Sequence, residues 1–142
     1  ATAFGKSGLS FWIADLLRNL DGIPLILIIL IIVTSINLLT EVTSNMATTA
    51  MLLPVLVTIA LAIQVHPYFL LISATLAASC AFMLPISTPP NAVVFGSGLL
   101  KIEDMFKKGV WMNILSIIII TMVVYYILPF VFDVSSDLIP IN

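Results

Sequence analysis

The stretch Leu39-Thr40-Glu41-Val42-Thr43-Ser44-Asn45-Met46-Ala47-Thr48-Thr49 decides how this chain is read. It is polar and lies between two strongly apolar runs, Pro24 to Leu38 and Ala50 to Ile63. A second polar island, Pro85-Ile86-Ser87-Thr88-Pro89-Pro90-Asn91-Ala92, interrupts a later apolar run. The surroundings of both islands are lipid-like. Hydrophobic residues make up 61% of the 142 and charged residues 8%, and the mean hydropathy is +1.25. A soluble domain carries about 25% charged residues. This chain lacks the polar material to cover a water-facing surface, so it is an integral membrane protein.

Each apolar run beside the first island gives about 15 residues, or roughly 22 Å, of helix. The hydrocarbon core is about 30 Å thick. Each run therefore reaches past the midplane and stops, which is the shape of a re-entrant hairpin over 23–66 with its tip at 40–49. Irregular backbone at that depth is tolerated only where it is buried in protein or lines a cavity. Two short tilted spans joined by an ordinary loop fit the same lengths, because tilt and bilayer thinning absorb several ångströms. In the second island Pro85, Pro89 and Pro90 cannot sit in a continuous helix. The spacing predicts a broken transmembrane helix over 67–99 with its break at 85–91. Its first half carries Ser73, Ala74, Ala77, Ala78, Ser79 and Ala81, small residues that let helices approach closely in lipid.

The remaining segments set orientation. Leu9, Trp12, Ile13, Leu16, Leu17 and Leu20 recur at helical spacing, so 1–22 reads as an amphipathic, interfacial segment. Gln64-Val65-His66-Pro67 is a surface turn, and His66 is read as a surface residue rather than a ligand. Residues 100–108 form a surface segment whose three lysines place it on the cytoplasmic side. Residues 109–132 form a full-length span and 133–142 an external tail. The expected location is a plasma membrane, a bacterial inner membrane, with several passes and the C-terminus outside. The chain begins without Met and is expected to be a fragment or one half of a larger protein. A net charge of -2 with no basic stripe speaks against nucleic acid. Cys80 is the one cysteine and allows no internal disulfide. No nucleophile–base pair or metal set is visible, so no enzyme is expected.

The islands carry the chemistry. Thr40, Thr43, Ser44, Asn45, Thr48 and Thr49 in the first, with Ser87, Thr88 and Asn91 in the second, supply hydroxyls and amides. With unwound backbone carbonyls, these are hard neutral ligands suited to Na⁺. Half-helices restarting after Asn45 and after Pro90 aim N–H groups and a positive dipole end at an anion. Paired broken elements of this kind mark the site of secondary transporters, so the islands are expected to meet near the middle of the membrane around a cation and an anion. For any single Ser or Thr the alternative is a bond to its own preceding turn. Glu41 has two readings: a buried proton or cation site, or a structural acceptor for N–H groups of the tip. The structural role is preferred.

Thr40-Glu41-x-x-Ser44-Asn45-x-Ala47 followed by Leu53-Pro54 resembles a hairpin motif of the divalent anion/sodium symporter family. Ser79-Cys80-Ala81-Phe82-Met83-Leu84-Pro85, then Thr88-Pro89-Pro90-Asn91-Ala92-Val93-Val94-Phe95, resembles that family's signature broken helix. The resemblance implies an all-α integral membrane fold of two inverted repeats, moving as an elevator, of which this chain matches the C-terminal repeat. It implies a homodimer, a missing N-terminal repeat as partner, and Na⁺ as coupling ion with no organic cofactor. The substrate would be a small divalent anion, such as succinate, malate, citrate or sulfate. By position, Thr40, Thr43, Asn45 and Ser87 would ligate sodium, some through backbone carbonyls. Ser44 and Asn45 would contact the anion, helped by Thr88 and Pro89. Met46 stands where the motif has Thr, which removes one hydroxyl contact. The alternatives are a proton-coupled carrier in which Glu41 titrates, and a non-transporting membrane subunit.

Overall fold

In a bilayer every backbone polar group needs a partner within the protein, so apolar runs of this length fold as helices. The computed structural model describes residues 23–134. The amphipathic segment expected at 1–22 and most of the expected external tail, 135–142, lie outside the described residues. Among the described residues every regular element is helical: α1 (Leu25–Thr40), α2 (Asn45–Ala62), α3 (Pro67–Ala78), α4 (Pro89–Gly96) and α5 (Ile102–Met122). A π-turn over Val123–Ile127 joins α5 to α6 (Leu128–Phe132). That wide turn accommodates Pro129, which has no N–H for the helical ladder.

The first island is more helical than its composition predicts. α1 runs on to Thr40 and α2 begins at Asn45, so the non-helical tip is confined to 41–44. Thr40 extends α1 because its hydroxyl bonds back to the Ile36 and Asn37 carbonyls at 3.0 Å each. Ser44 opens α2 as its cap, accepting from the Ala47 N–H at 3.5 Å. α2 has 18 residues, enough to cross a membrane by length, whereas α1 has 16. α2 closes in a Schellman motif. Gln64 takes a left-handed φ of 57°, the Val65 N–H donates to the Ala60 carbonyl at 3.0 Å and the Gln64 N–H to Leu61 at 3.3 Å. His66 then caps α3, its Nδ1 accepting from the Tyr68 N–H at 3.3 Å, with Pro67 in the first turn.

α3 is the central helix and packs against α1, α2 and α5. Phe69, Leu70, Ser73, Ala74, Ala77 and Ala78 form its buried stripe. They meet Ile29, Val33 and Ile36 of α1, Leu56 and Ala60 of α2, and Ile120 and Val124 beyond. The small residues bring helix axes close, where packing rather than water exclusion holds helices together in lipid.

Two boundaries differ from the sequence-based expectation. α3 stops at Ala78, although the apolar run continues to Leu84. Pro85 disfavours helix at the residue before it, and the Phe82, Met83 and Leu84 N–H groups bond elsewhere, as described below. The lysine-bearing segment is the opening of the last helix rather than a separate surface piece. Ile102 to Phe132 is one run of 31 helical residues, about 46 Å long. Glu103 and Asp104 sit in its first turn, where the helix dipole favours acids.

Candidate functional site

The two islands are joined at Glu41, which is 3% exposed. Its carboxylate oxygen Oε1 accepts from the Phe82 N–H at 2.8 Å, the Met83 N–H at 3.0 Å and the Asn113 side-chain amide at 2.6 Å. Its Oε2 accepts from Met83 at 3.1 Å, Leu84 at 3.1 Å and the Ser87 hydroxyl at 2.6 Å. The same Ser87 hydroxyl lies 2.9 Å from the Glu41 backbone carbonyl. Of the two readings of Glu41, the structural acceptor describes this geometry. The backbone N–H groups it takes belong to the segment just before the second island, which itself adds the Ser87 hydroxyl, not to its own tip. They are the amides that would otherwise have continued α3.

Three asparagines extend the cluster. One turn before Glu41, Asn37 donates to the Cys80 carbonyl at 2.5 Å and to Ser116 Oγ at 3.5 Å. Asn91 donates to the carbonyls of Ala81 at 3.0 Å and Leu84 at 3.1 Å, closing the break from its far side. Asn113 comes from α5 and is 2% exposed. One turn before it, Gly109 packs directly on the backbone of Phe82 and Met83. Measured along α5, Asn113 lies about 17 Å from Ile102 and about 29 Å from Phe132. The meeting point therefore lies about 6 Å from the middle of that helical run, on its lysine-bearing side.

The expected ligands divide into three groups. Thr40 Oγ1 is fully buried and bonded to its own helix, and Ser87 Oγ is bonded to Glu41. Both hydroxyls donate in these bonds, so each residue keeps its hydroxyl lone pairs and its backbone carbonyl to offer an ion. Thr43 Oγ1 bonds to the Leu39 carbonyl and meets Thr48 Oγ1, both at 2.7 Å, linking the end of α1 to the start of α2. Asn45 is different. Its side-chain Oδ1 is buried and has no hydrogen-bond partner, an unusual state for a buried polar atom. Among the described residues the carbonyls of Thr40 and Thr43 also accept no hydrogen bond. An orphaned amide oxygen following the carbonyl end of α1 suits a hard cation.

The two helix starts are not equivalent, contrary to the expectation that both present N–H groups. At α2, the Asn45 and Met46 N–H groups make no hydrogen bond among the described residues. At α4 the first two residues are Pro89 and Pro90, which have no N–H. The next two N–H groups are taken, Asn91 by Thr88 Oγ1 at 3.4 Å and Ala92 by the Thr88 carbonyl at 3.1 Å. Only α2 can therefore offer backbone donors to an anion, while α4 offers its dipole. Met46 is 83% exposed at the α2 start, and Pro89 is exposed. No hydrogen bond joins Ser44 or Asn45 to Thr88 among the described residues; Ser44 and Thr88 instead serve as helix caps.

Comparison with known proteins gives the family. The family described as sodium:sulfate symporter transmembrane region matches residues 1–132. The chain belongs to that family. It is therefore a membrane-embedded segment of a carrier family rather than an enzyme. It is 45% identical over 129 residues to the sodium-dependent dicarboxylate transporter SdcS of Staphylococcus saprophyticus, covering 91% of this chain and 25% of that protein. It is 48% identical over 137 residues to the SdcS of a Staphylococcus aureus strain, covering 96% of this chain and 26% of that protein. The chain thus spans about a quarter of the length of the curated relatives it matches.

Asn37, Gly109 and Asn113 were not among the residues the sequence singled out. Asn37 and Asn113 carried a usable signal, since an amide inside an apolar run at membrane depth is costly unless it has a partner. Gly109, at the foot of the last span, carried none.

Proposed function

We propose that this chain forms one side of the transport site of a larger carrier that couples Na⁺ influx to uptake of a small divalent anion. The observation that carries this reading is the buried, unpartnered Oδ1 of Asn45. Sodium would sit between that oxygen and the backbone carbonyls of Thr40, Thr43 and Ser87. The anion would meet the free N–H groups at the start of α2, with Ser44, Asn45 and Thr88 lining its site beside Met46 and Pro89. The relatives' description as sodium-dependent dicarboxylate transporters supports a dicarboxylate over sulfate as the first substrate to test. In the same reading the chain is the C-terminal of two inverted repeats. The N-terminal repeat supplies the other half of the site, the carrier is a dimer that moves as an elevator, and the C-terminus faces outward.

The test is uptake of labelled succinate, and separately of sulfate, into proteoliposomes holding the intact carrier. Uptake should follow an imposed Na⁺ gradient and stop when K⁺ replaces Na⁺. Uptake indifferent to Na⁺ but driven by a pH gradient would overturn sodium coupling in favour of proton coupling. No uptake of any dianion would favour the non-transporting subunit.

A further inference from the structure

Glu41 is not among the expected ligands, yet it is the residue that registers the two islands. The oxygens proposed for sodium come from two segments, Thr40, Thr43 and Asn45 on the tip and Ser87 on the break. Ion–oxygen distances tolerate only tenths of an ångström, so such a site needs its segments held in fixed relation by surrounding bonds. The tip is bonded to the break through the Glu41 carboxylate and, one turn earlier, through Asn37.

We propose that Glu41 is a positioning residue that sets the sodium affinity of the site without touching the ion, with Asn113 as the outer member of the same clamp. The inference rests on the sodium-coupled reading above. Five donors converge on the carboxylate: the Phe82, Met83 and Leu84 N–H groups, the Ser87 hydroxyl and the Asn113 amide. Ser87 matters most, because its hydroxyl bridges the Glu41 side chain and backbone and so places the carbonyl one residue's length away. Glutamine cannot substitute. It keeps one acceptor oxygen and turns an N–H pair toward groups that are themselves N–H donors. Aspartate keeps the charge but is one methylene shorter, so it cannot reach the Phe82–Leu84 amides and Ser87 together. Asn113 fixes the carboxylate from the side of α5, and Gly109 lets that helix come close enough for it to do so.

The experiment uses the intact carrier with Glu41→Gln, Asn113→Ala and the double variant. Three quantities are read: the Na⁺ concentration giving half-maximal succinate uptake, the KM for succinate at saturating Na⁺, and amide hydrogen exchange at 82–84. Loss of a residue that orients ion ligands lowers ion affinity about 10–100-fold. Glu41→Gln should therefore raise half-saturating Na⁺ about tenfold or more, speed exchange at 82–84, and leave the succinate KM at saturating Na⁺ nearly unchanged. Asn113→Ala should move the same quantities in the same direction by less. The double variant should match Glu41→Gln alone, because both act through one carboxylate. Unchanged sodium half-saturation in the single variants would overturn the proposal. So would additive losses, or equal rises in the sodium and succinate constants. If Glu41→Gln does not reach the membrane, Asn113→Ala decides by the same readouts. A wild-type carrier whose uptake ignores Na⁺ would instead mark failure of the sodium-coupled reading. A sodium-dependent wild type with unmoved variants marks failure of the clamp alone.

Discussion

A Cβ built on Gly109 would stand 2.5 Å from the Met83 Cα and 2.5 Å from the Phe82 carbonyl oxygen. Both are backbone atoms of the non-helical segment leading into the break, so neither can swing aside as a side chain would. Glycine is required here because α5 lies against an unwound segment, and the contact presents Asn113 to Glu41 one turn later. Gly109→Ala must push the two apart. Overpacking of this kind costs about 1–3 kcal/mol, so the thermal melt in detergent should fall by several degrees and uptake should fall with it. An unchanged melt would show that α5 does not approach the break this closely.

A second prediction concerns the other end of the bundle. Gln64 holds a left-handed φ of 57° to close the Schellman motif after α2. A residue with a Cβ is strained there by about 1–2 kcal/mol, and part of that relief is offset by the extra chain entropy of glycine. Gln64→Gly should raise stability by about 0.5–1 kcal/mol without altering transport. Gln64→Ala should leave the melt as it is. A lower melt for the glycine variant would mean that the turn is not left-handed.

Asn91 tests the break from its far side. Its amide donates to the carbonyls of Ala81 and Leu84; Leu84 also accepts from the Ser87 N–H at 3.2 Å, whereas Ala81 has no other donor among the described residues. Removing one partner of a buried bond costs about 1–3 kcal/mol for the group left behind. Asn91→Ala should therefore lower the melting temperature. Asn91→Asp should lower it further, since it points an acceptor at two acceptors. Equal melts for Asp and Asn at this position would refute the assignment of the amide.

Much of the architecture was legible because lipid makes polar residues conspicuous. Thr43, Ser44, Asn45 and the Pro89-Pro90 pair stand out in apolar sequence, and their motifs carried the family. What was not legible depends on backbone. Among the described residues Glu41 has no charged partner: it is held chiefly by backbone amides some forty residues on, and an N–H has no sequence signature. The early end of α3 follows from the same bonds, since Leu84 looks helical until its N–H is claimed by Glu41. The inequality of the two helix starts was visible in principle. Two prolines in the first turn of α4 state in advance that no N–H will be offered there. The tip expected at 40–49 followed the extent of the polar island, whereas Thr40 and Thr49 bond back to their own helices.

The last prediction separates ligand from scaffold. Asn45 Oδ1 is buried without a partner, and the Asn45 side chain donates no hydrogen bond among the described residues. A side chain kept for folding would be bonded through at least one of its groups, as Asn37 and Asn113 are through their amide nitrogens although their Oδ1 atoms are also unpartnered, and deleting it would cost stability. A group kept for an ion should be neutral to delete in the absence of that ion. Asn45→Ala should therefore melt at or slightly above the wild-type temperature in K⁺ buffer. The difference should emerge on adding Na⁺. A ligand bound only by the folded state adds about 1.4 kcal/mol at ten times its dissociation constant, so the wild-type carrier should melt several degrees higher in excess Na⁺. The variant should show little or no rise, and Na⁺-driven succinate uptake should be lost at normal protein abundance. A variant that keeps the sodium-induced rise would place the ion elsewhere. One that melts well below wild type in K⁺ would make Asn45 a structural residue instead.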